Sequence, residues 1–178
     1  MSDEISGAAR SPVAQKSFEV AMKAMDQGDF KKAHSAFKKF VAEHTEDAEG
    51  WYYLAESGYY AAGMFGARVK DEEIIEAYTK AIELDGNRPE FYQSYGHFCI
   101  EAGKYDEAEK AYAEAVQIDS SLAASLYSEF AIDYFDNVMA KYGEIMEDPK
   151  ARAPYAKKAL MYMLKALELD PEEAKSLL

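Results

Sequence analysis

Apolar residues recur along the chain at helical spacing, and short turn sequences interrupt them in a repeating way. The sequence Gly-Asp-Phe-Lys-Lys-Ala at 28–33 returns as Gly-Lys-Tyr-Asp-Glu-Ala at 103–108, and a related Ile-Ile-Glu-Ala-Tyr lies at 74–78. Each copy is followed by an aromatic residue and by small or apolar residues at helical positions. Self-similarity of this kind predicts a repeat protein made of helices.

Small residues recur where neighbouring helices would approach each other. They are Ala21, Ala33, Ala55, Ala81, Gly96, Ala108, Ala115, Ala131, Ala159 and Ala166. A two-helix unit with such a face cannot bury it alone, so the units are expected to stack. Gly28 and Gly103 lie where a helix would end in a left-handed residue. Ser11-Pro12 and Asp170-Pro171 each offer an N-cap followed by proline at the first helical position.

The most complete copy runs from about Pro89 to Leu122. Its aromatic and small positions are Tyr92, Tyr95, Gly96, Cys99, Gly103, Tyr105, Ala108, Tyr112 and Ala115. This copy resembles the tetratricopeptide repeat, a helix-turn-helix module of about 34 residues with the signature W-x2-L-G-x2-Y, A-x3-F and P. The resemblance implies an all-α fold, a right-handed α-α solenoid of about four helical hairpins. A generic helical bundle is the alternative.

The other copies match the pattern in part. The first has Ala21, Gly28, Phe30, Ala33, Phe37 and Phe40, the second Trp51, Leu54, Ala55, Tyr78 and Ala81, and the fourth Tyr127, Phe130, Ala131, Tyr134, Ala159, Met163, Ala166 and Pro171. In the first copy Ser17 and Ala24 replace the leading aromatic residue and the tyrosine. The resemblance therefore covers roughly Pro12 to Pro171.

Two copies are longer than the third, which predicts lengthened helices in the second and fourth hairpins. The second copy carries seven extra residues between its helices and the fourth carries 16. We expect two extra helical turns, shared between the pair, in the second hairpin. In the fourth, apolar residues at helical spacing predict a first helix that reaches about Met146 and stops at Asp148-Pro149, with a second helix beginning near 151–154.

The expected organisation has three parts. A flexible N-terminal segment covers 1–11, the repeats cover about 12–46, 47–87, 88–122 and 123–170, and a short C-terminal capping helix covers 171–178. The first eleven residues lack the apolar stretch of a signal peptide. No apolar run approaches the roughly 20 residues of a membrane span, so membrane insertion is not expected.

Composition narrows the classes of partner. The formal net charge of −13 argues against nucleic acid and anionic membranes, because both need a basic footprint. The single cysteine, Cys99, excludes an internal disulfide framework and suits a reducing compartment. A cytoplasmic location is therefore predicted, and Cys99 is expected to be a packing residue.

No pattern predicts catalysis, a cofactor or a metal site. His34, His44 and His97 lack the HExxH or Cys-His spacing of metal sites. The stretch from Gly63 to Gly66 lacks the lysine and the strand context of a phosphate loop. Acid pairs such as Glu72-Glu73 are expected in helix first turns, where carboxylates favour the dipole. The protein is therefore not expected to be an enzyme.

Function is then expected to reside in a binding surface. In the family that the sequence resembles, the first helix of each pair lines a concave groove that holds a peptide or a helix. That resemblance places in the groove Phe18, Met22, Met25, Glu49, Tyr52, Glu56, Tyr59, Tyr60, Gln93, His97, Ile100, Glu101, Ile132 and Phe135. The fourth copy adds Ser125, Ser128 and Asp136. Packing of these side chains against neighbouring helices is the alternative, particularly for Phe18, Tyr59 and Phe135.

An acidic and apolar groove favours a basic or amphipathic protein segment as partner. One subgroup of the family binds acidic chaperone tails through lysine, asparagine and arginine, which are absent from the assigned positions. Another subgroup consists of small acidic chaperones in secretion systems, and size and charge fit it. The function expected is therefore a non-catalytic adaptor or chaperone-like module.

Two other functions stay open from the sequence. One is a self-associating scaffold that assembles through the fourth hairpin or the C-terminal end. This hairpin is locally basic, with Lys141, Lys150, Arg152, Lys157 and Lys158, so homo-oligomers are possible. The other is an enzyme or ligand-binding protein that uses a cleft around Tyr52, Tyr59 and Tyr60.

Overall fold

The protein is described from a computed structural model that covers residues 10–143, 147–170 and 172. In this part of the chain the regular structure is helical throughout, without a strand. The helices are α1 Pro12–Asp26, α2 Phe30–Glu43, α3 Ala48–Phe65, α4 Asp71–Leu84, α5 Pro89–Glu101, α6 Tyr105–Ile118, α7 Ala123–Lys141 and α8 Pro149–Ala166, and a short 3-10 turn covers Ser120–Leu122. The predicted all-α class of consecutive helical hairpins is confirmed. No helix among the described residues combines the length and apolar character needed to cross a membrane.

The helices form two compact units. Unit 1 ends at Leu84 and contains α1 to α4, and unit 2 begins at Asp85 and contains α5 to α8. In unit 1, α2 packs against α1 and α3, and α3 packs against α4. In unit 2, α5, α6 and α7 pack against one another, and α8 packs against α7. A single solenoid over 12–170 stays a prediction.

The core of unit 1 consists of aromatic side chains and small residues. Phe18 of α1 meets the rings of Phe37 and Phe40 edge-on, with centroids 5.6 and 5.5 Å away. Small residues let α3 approach these rings closely, since a Cβ added to Gly50 would lie 2.6 Å from the Phe40 ring. The predicted small positions Ala21, Ala33, Ala55 and Ala81 are fully buried.

The core of unit 2 combines tyrosines with apolar side chains. Its buried members include Phe91, Phe98, Cys99, Tyr112, Leu126, Phe130, Tyr134, Val138 and Tyr162. Gly96 of α5 receives the Tyr112 ring, because a Cβ there would lie 2.7 Å from it. Cys99 is buried and free of a disulfide, as expected for a packing residue.

The local signals at helix ends are confirmed where they are described. Gly28 and Gly103 have φ of 71° and 76°, the left-handed region that glycine tolerates best. Ser11 caps α1, its side chain accepting a hydrogen bond from the amide of Ala14, and Pro12 opens that helix. The predicted capping helix 171–178 lies outside the described residues except for Glu172.

The extra length of the second hairpin is not shared between its helices. Helix α3 has 18 residues against 13 in α5, whereas α4 has 14, like α2 and α6. Gly66, with φ of 58°, ends α3, and the loop 66–70 takes up the rest. Helix α4 then begins with Asp71, Glu72 and Glu73 in its first turn, as expected from the helix dipole.

In the fourth hairpin both helices are long, but two predicted boundaries were wrong. Helix α7 ends at Lys141, five residues before Met146, and 144–146 lie outside the described residues. Helix α8 begins at Pro149, and the Asp148 side chain caps it by accepting a hydrogen bond from the amide of Lys150. Asp148-Pro149 therefore starts a helix, because an acidic N-cap before proline favours helix initiation.

Candidate functional site

Arg10 belongs to the folded part of unit 1, although it falls in the segment predicted to be flexible. Its guanidinium bonds to Asp47 (2.6 Å) and to Glu49 (2.7 Å). It also lies 3.6 Å above the Phe18 ring centroid. Burial alone would raise the pKa of the Asp47 carboxyl, but hydrogen bonds from Arg10 and the amide of Gly50, with the Arg10 charge, lower it. Residues 1–9 of the predicted flexible segment lie outside the described residues.

Of the predicted groove residues in α1, Phe18 is a core residue. Its side chain is buried among Phe37, Phe40 and Tyr53, because its position on α1 faces α2 and α3. The assignment of Phe18 to a binding surface was therefore wrong. Met22 and Met25 are half-buried on the same helix.

The predicted groove residues of α3 contact neighbouring helices in part. The Tyr52 ring lies 6.3 Å from that of Tyr78 on α4, and Glu56 accepts a hydrogen bond from the Tyr78 hydroxyl. Tyr60 stacks on Phe30 of α2 at 4.9 Å and lies 5.1 Å from Tyr59. All are half-buried except Tyr78, which is buried. Burial and the Glu56 charge raise the pKa of Tyr60.

In unit 2, the predicted residues of α5 form hydrogen bonds with α7. Gln93 donates to Glu129 Oε2 at 2.8 Å, and His97 Nδ1 lies 3.1 Å from Asp133 Oδ2. A buried tyrosine completes the network, because the Tyr112 hydroxyl of α6 donates to Glu129 Oε1 at 2.6 Å. The two oxygens of Glu129 are thus held by two different helices.

The remaining predicted positions in unit 2 differ in exposure. Ile100 is 1% exposed and faces the core, so its assignment to a binding surface was wrong. Glu101 and Asp136 are exposed, Phe135 is half-buried, and Ile132 is 51% exposed. We use the name α5–α7 surface for Gln93, His97, Glu101, Glu129, Ile132, Asp133 and Asp136, with Phe135 at its edge.

The α5–α7 surface carries four carboxylates, those of Glu101, Glu129, Asp133 and Asp136. Burial raises the pKa of Asp133 and the charges of Glu129 and Asp136 raise it further, against the lowering effect of His97. Burial and the hydrogen bond to Glu129 raise the pKa of Tyr112, so this hydroxyl stays a donor. The surface therefore joins acidic groups to an exposed isoleucine.

Sequence reasoning missed Glu129 and Asp133. They directly follow Ser128 and Ile132, which the repeat pattern did select. Their spacing of four residues places them on one helix face, and this was the available signal. Their partners lie 36 residues away, which no local pattern reveals.

The basic residues of the fourth hairpin are partly engaged within unit 2. Lys158 pairs with Glu109 at 2.6 Å and with Asp106 at 3.6 Å, and Lys141 donates to the carbonyl of Glu101 at 2.7 Å. Lys150, Arg152 and Lys157 are exposed. Two of the basic residues of this hairpin, Lys141 and Lys158, thus form contacts within unit 2.

Comparisons with known proteins agree with the helical hairpins. Residues 77–110 match the tetratricopeptide repeat family model. A crystal structure of MamA has 23% identity and a TM-score of 0.65, over 93% of this chain and 81% of that one. A second MamA structure has 23% identity and a TM-score of 0.67, over 93% and 77%.

A third similar structure is the Yersinia enterocolitica type III secretion chaperone SycD, in complex with a peptide of the translocator YopD. It has 15% identity and a TM-score of 0.58, over 76% of this chain and 99% of that one. No curated protein sequence matches the chain. At these identities the likeness is one of fold. The matched repeat at 77–110 and the likeness to these structures thus show a fold of tetratricopeptide-like helical hairpins.

Proposed function

We propose that the protein is a non-catalytic adaptor or chaperone-like module that binds a basic or amphipathic segment of a partner protein. The α5–α7 surface is the proposed contact. The proposal retains the cytoplasmic location predicted from composition, and it assigns no cofactor.

The observation that carries the proposal is the chemistry of the α5–α7 surface. Four acidic residues, Glu101, Glu129, Asp133 and Asp136, lie on two neighbouring helices, next to Ile132, which is 51% exposed. Acidic groups speed the encounter with a basic partner, and an exposed aliphatic side chain supplies apolar contact area. Such a surface suits a helix or strand with lysines or arginines beside apolar residues.

A structure of the same fold supports a peptide segment as the partner. SycD has been solved in complex with a peptide of the translocator YopD. Peptide recognition is thus compatible with this helical architecture.

Fluorescence anisotropy with three labelled peptides of equal length tests the proposal. One is an amphipathic Leu/Lys helix, the second has the same composition in an order that removes the apolar face, and the third replaces lysine by glutamate. We expect the first to bind tightest, the second more weakly, and the third not at all. Added salt should weaken binding, since exposed charges are screened within about 10 Å at 0.1 M.

Two double variants locate the contact. Glu101→Gln with Asp136→Asn removes two exposed charges from the α5–α7 surface and should weaken the Leu/Lys peptide about tenfold. The matched control, Glu107→Gln with Glu114→Gln, removes two exposed charges from α6 and should change affinity less than about threefold. Equal losses in both variants, or equal binding of the Leu/Glu peptide, would refute the proposal.

Unit 1 provides a second proposed contact region, made of Met22, Met25, Glu49, Tyr52, Glu56, Tyr59 and Tyr60. Tyr52 and Tyr60 are half-buried, so each retains ring surface that a partner could cover. The variant Tyr52→Ala, Tyr60→Ala should reduce peptide affinity if unit 1 contributes. Unchanged affinity in a folded variant would confine the contact to unit 2.

Self-association is the second candidate function, and two exposed leucines at the C-terminal end of α8 favour it. Leu160 of α8 and Leu167, which directly follows that helix, are 59% and 61% exposed. Light scattering after size exclusion should then show a dimer that Leu160→Glu, Leu167→Glu converts to a monomer. A wild-type monomer at about 100 μM would contradict this candidate.

A further inference from the structure

We infer that His97, Glu129 and Asp133 form a binding site for a divalent transition-metal ion such as Zn²⁺. The three side chains each offer one ligand atom, and these atoms all lie within 4.8 Å of one another. One imidazole and two carboxylates are ligands that Zn²⁺ accepts. The site lies within unit 2 and does not depend on the proposed adaptor function.

The distances are close to those that a metal ion requires. Ligand atoms about 2.1 Å from a tetrahedral Zn²⁺ lie about 3.4 Å apart. His97 Nδ1 and Asp133 Oδ2 are already 3.1 Å apart. The remaining ligand atom, a carboxylate oxygen of Glu129, lies within 4.8 Å of the other two, so a small shift of this side chain would close the site.

The helices fix the positions of the three ligands. Glu129 and Asp133 are one helical turn apart on α7, and His97 faces them from α5, which packs against α7. All three ligands lie on helices, so no loop is needed to bring them together. A site on rigid helices keeps its geometry better than one on loops.

Two further residues orient Glu129 without occupying the site. The Tyr112 hydroxyl donates to Oε1 and the Gln93 amide donates to Oε2. Hydrogen bonds of this kind commonly support carboxylate ligands, and each oxygen keeps a further lone pair. Tyr112 is fully buried, so the orientation that it imposes is well defined.

Charge and exposure are also compatible with a cation. Asp136 lies three residues after Asp133 on α7, so it adds a third carboxylate on the same helix face. The side chains of His97 and Asp133 are 38% and 31% exposed, so an ion can enter and water can complete its coordination. The imidazole favours Zn²⁺ over Mg²⁺ and Ca²⁺, which prefer oxygen ligands.

Isothermal titration calorimetry of the full chain with Zn²⁺, after treatment with EDTA and buffer exchange, tests the site. Wild type should bind one ion, and Mg²⁺ should not compete. His97→Gln and Asp133→Asn should each weaken Zn²⁺ binding at least tenfold. Gln93→Ala should weaken it about tenfold, because it removes a hydrogen bond that orients a ligand.

Glu107→Gln is the matched control, since it removes an exposed carboxylate of α6 that is neither a ligand nor part of the α5–α7 surface. It should change affinity less than about threefold. Circular dichroism checks that each variant is folded. If His97→Gln does not fold, the nearly isosteric Asp133→Asn variant still tests the site. Absence of binding to wild type at 100 μM Zn²⁺, or equal affinity in wild type and both ligand variants, would overturn the inference.

Discussion

The same helix-to-helix contact has opposite chemistry in the two units. In unit 1, Phe18 of α1 meets Tyr53 of α3 ring to ring at 5.8 Å. At the equivalent repeat positions in unit 2, Gln93 of α5 donates to Glu129 of α7 at 2.8 Å. The aromatic contact buries Phe18, whereas the polar contact leaves acidic groups half-exposed. A repeat position therefore predicts where a side chain lies, and its residue type decides whether it packs or binds.

The largest effect is expected from breaking the aromatic side of this comparison. Phe37 is fully buried and lies 5.6 Å from the rings of both Phe18 and Tyr53. Phe37→Ala should lower the free energy of unfolding by about 3–5 kcal/mol, because it leaves a cavity. Urea denaturation followed by the fluorescence of Trp51, the single tryptophan, measures this in unit 1.

Val20→Ala is the control for that experiment. Val20 is 56% exposed on α1, so its truncation should change the free energy of unfolding by no more than about 0.5 kcal/mol. Equal urea midpoints for Phe37→Ala and wild type would mean that the aromatic cluster does not stabilise unit 1.

A smaller loss is expected where unit 2 packs a tyrosine against a glycine. Gly96→Ala should lower the free energy of unfolding by about 1–3 kcal/mol, because its Cβ would lie 2.7 Å from the buried Tyr112 ring. Gly63 of α3 has no atom within 4 Å of an added Cβ, so Gly63→Ala should raise stability by up to about 1 kcal/mol. Thermal denaturation measures the stability of both variants. If the two substitutions shifted the melting temperature in the same direction, the difference in packing around Gly96 and Gly63 would be contradicted.

The polar side of the comparison is tested by removing one hydroxyl. Tyr112→Phe should lower the free energy of unfolding by about 1–2 kcal/mol, because Glu129 loses a buried donor but keeps Gln93. Tyr142→Phe, at a ring 37% exposed, should cost less than about 0.5 kcal/mol. Equal urea midpoints for the two variants would show that the network adds no stability.

The smallest effect concerns the ion pair that covers the aromatic cluster of unit 1. Asp47→Asn keeps a good helix cap but removes the charge that faces Arg10, so about 1 kcal/mol should be lost at pH 7. The pKa of Asp47 is lowered in the folded protein from an ordinary value of 3.8. The stabilisation is therefore complete above about pH 5 and is lost as pH falls through the lowered pKa.

Urea denaturation at pH 7 and at about pH 3 measures this difference. The gap between wild type and Asp47→Asn should narrow in acid, whereas Glu46→Gln, an exposed neighbour, should match wild type at both pH values. A gap of the same size at both pH values would assign the loss to capping instead of charge.

The sequence was sufficient for the features that depend on local chemistry. Gly28 and Gly103 mark helix ends because glycine tolerates positive φ. Asp148-Pro149 was misjudged, because an acidic residue before proline is compatible with both the end of one helix and the beginning of the next. The extra residues of the second hairpin predicted longer helices, but Gly66 confines the extension to α3.

The candidate site depended on contacts that the sequence does not display. Phe18 and Ile100 matched groove positions, yet their side chains are buried. A small rotation of a helix about its axis is enough to turn a residue from the exposed face to the buried face. Glu129 and Asp133 lay next to the selected positions. Their pairing with Gln93 and His97 needed the packing of α5 against α7.

The buried cysteine has a practical consequence for experiments on this surface. Burial raises the pKa of the Cys99 thiol to about 11, so at pH 7 roughly one molecule in ten thousand carries the reactive thiolate there. A cysteine introduced at an exposed position, such as Ser125 on α7, would react with a maleimide dye long before Cys99 does. The native chain is thus already suited to single-site labelling, without replacement of its own cysteine.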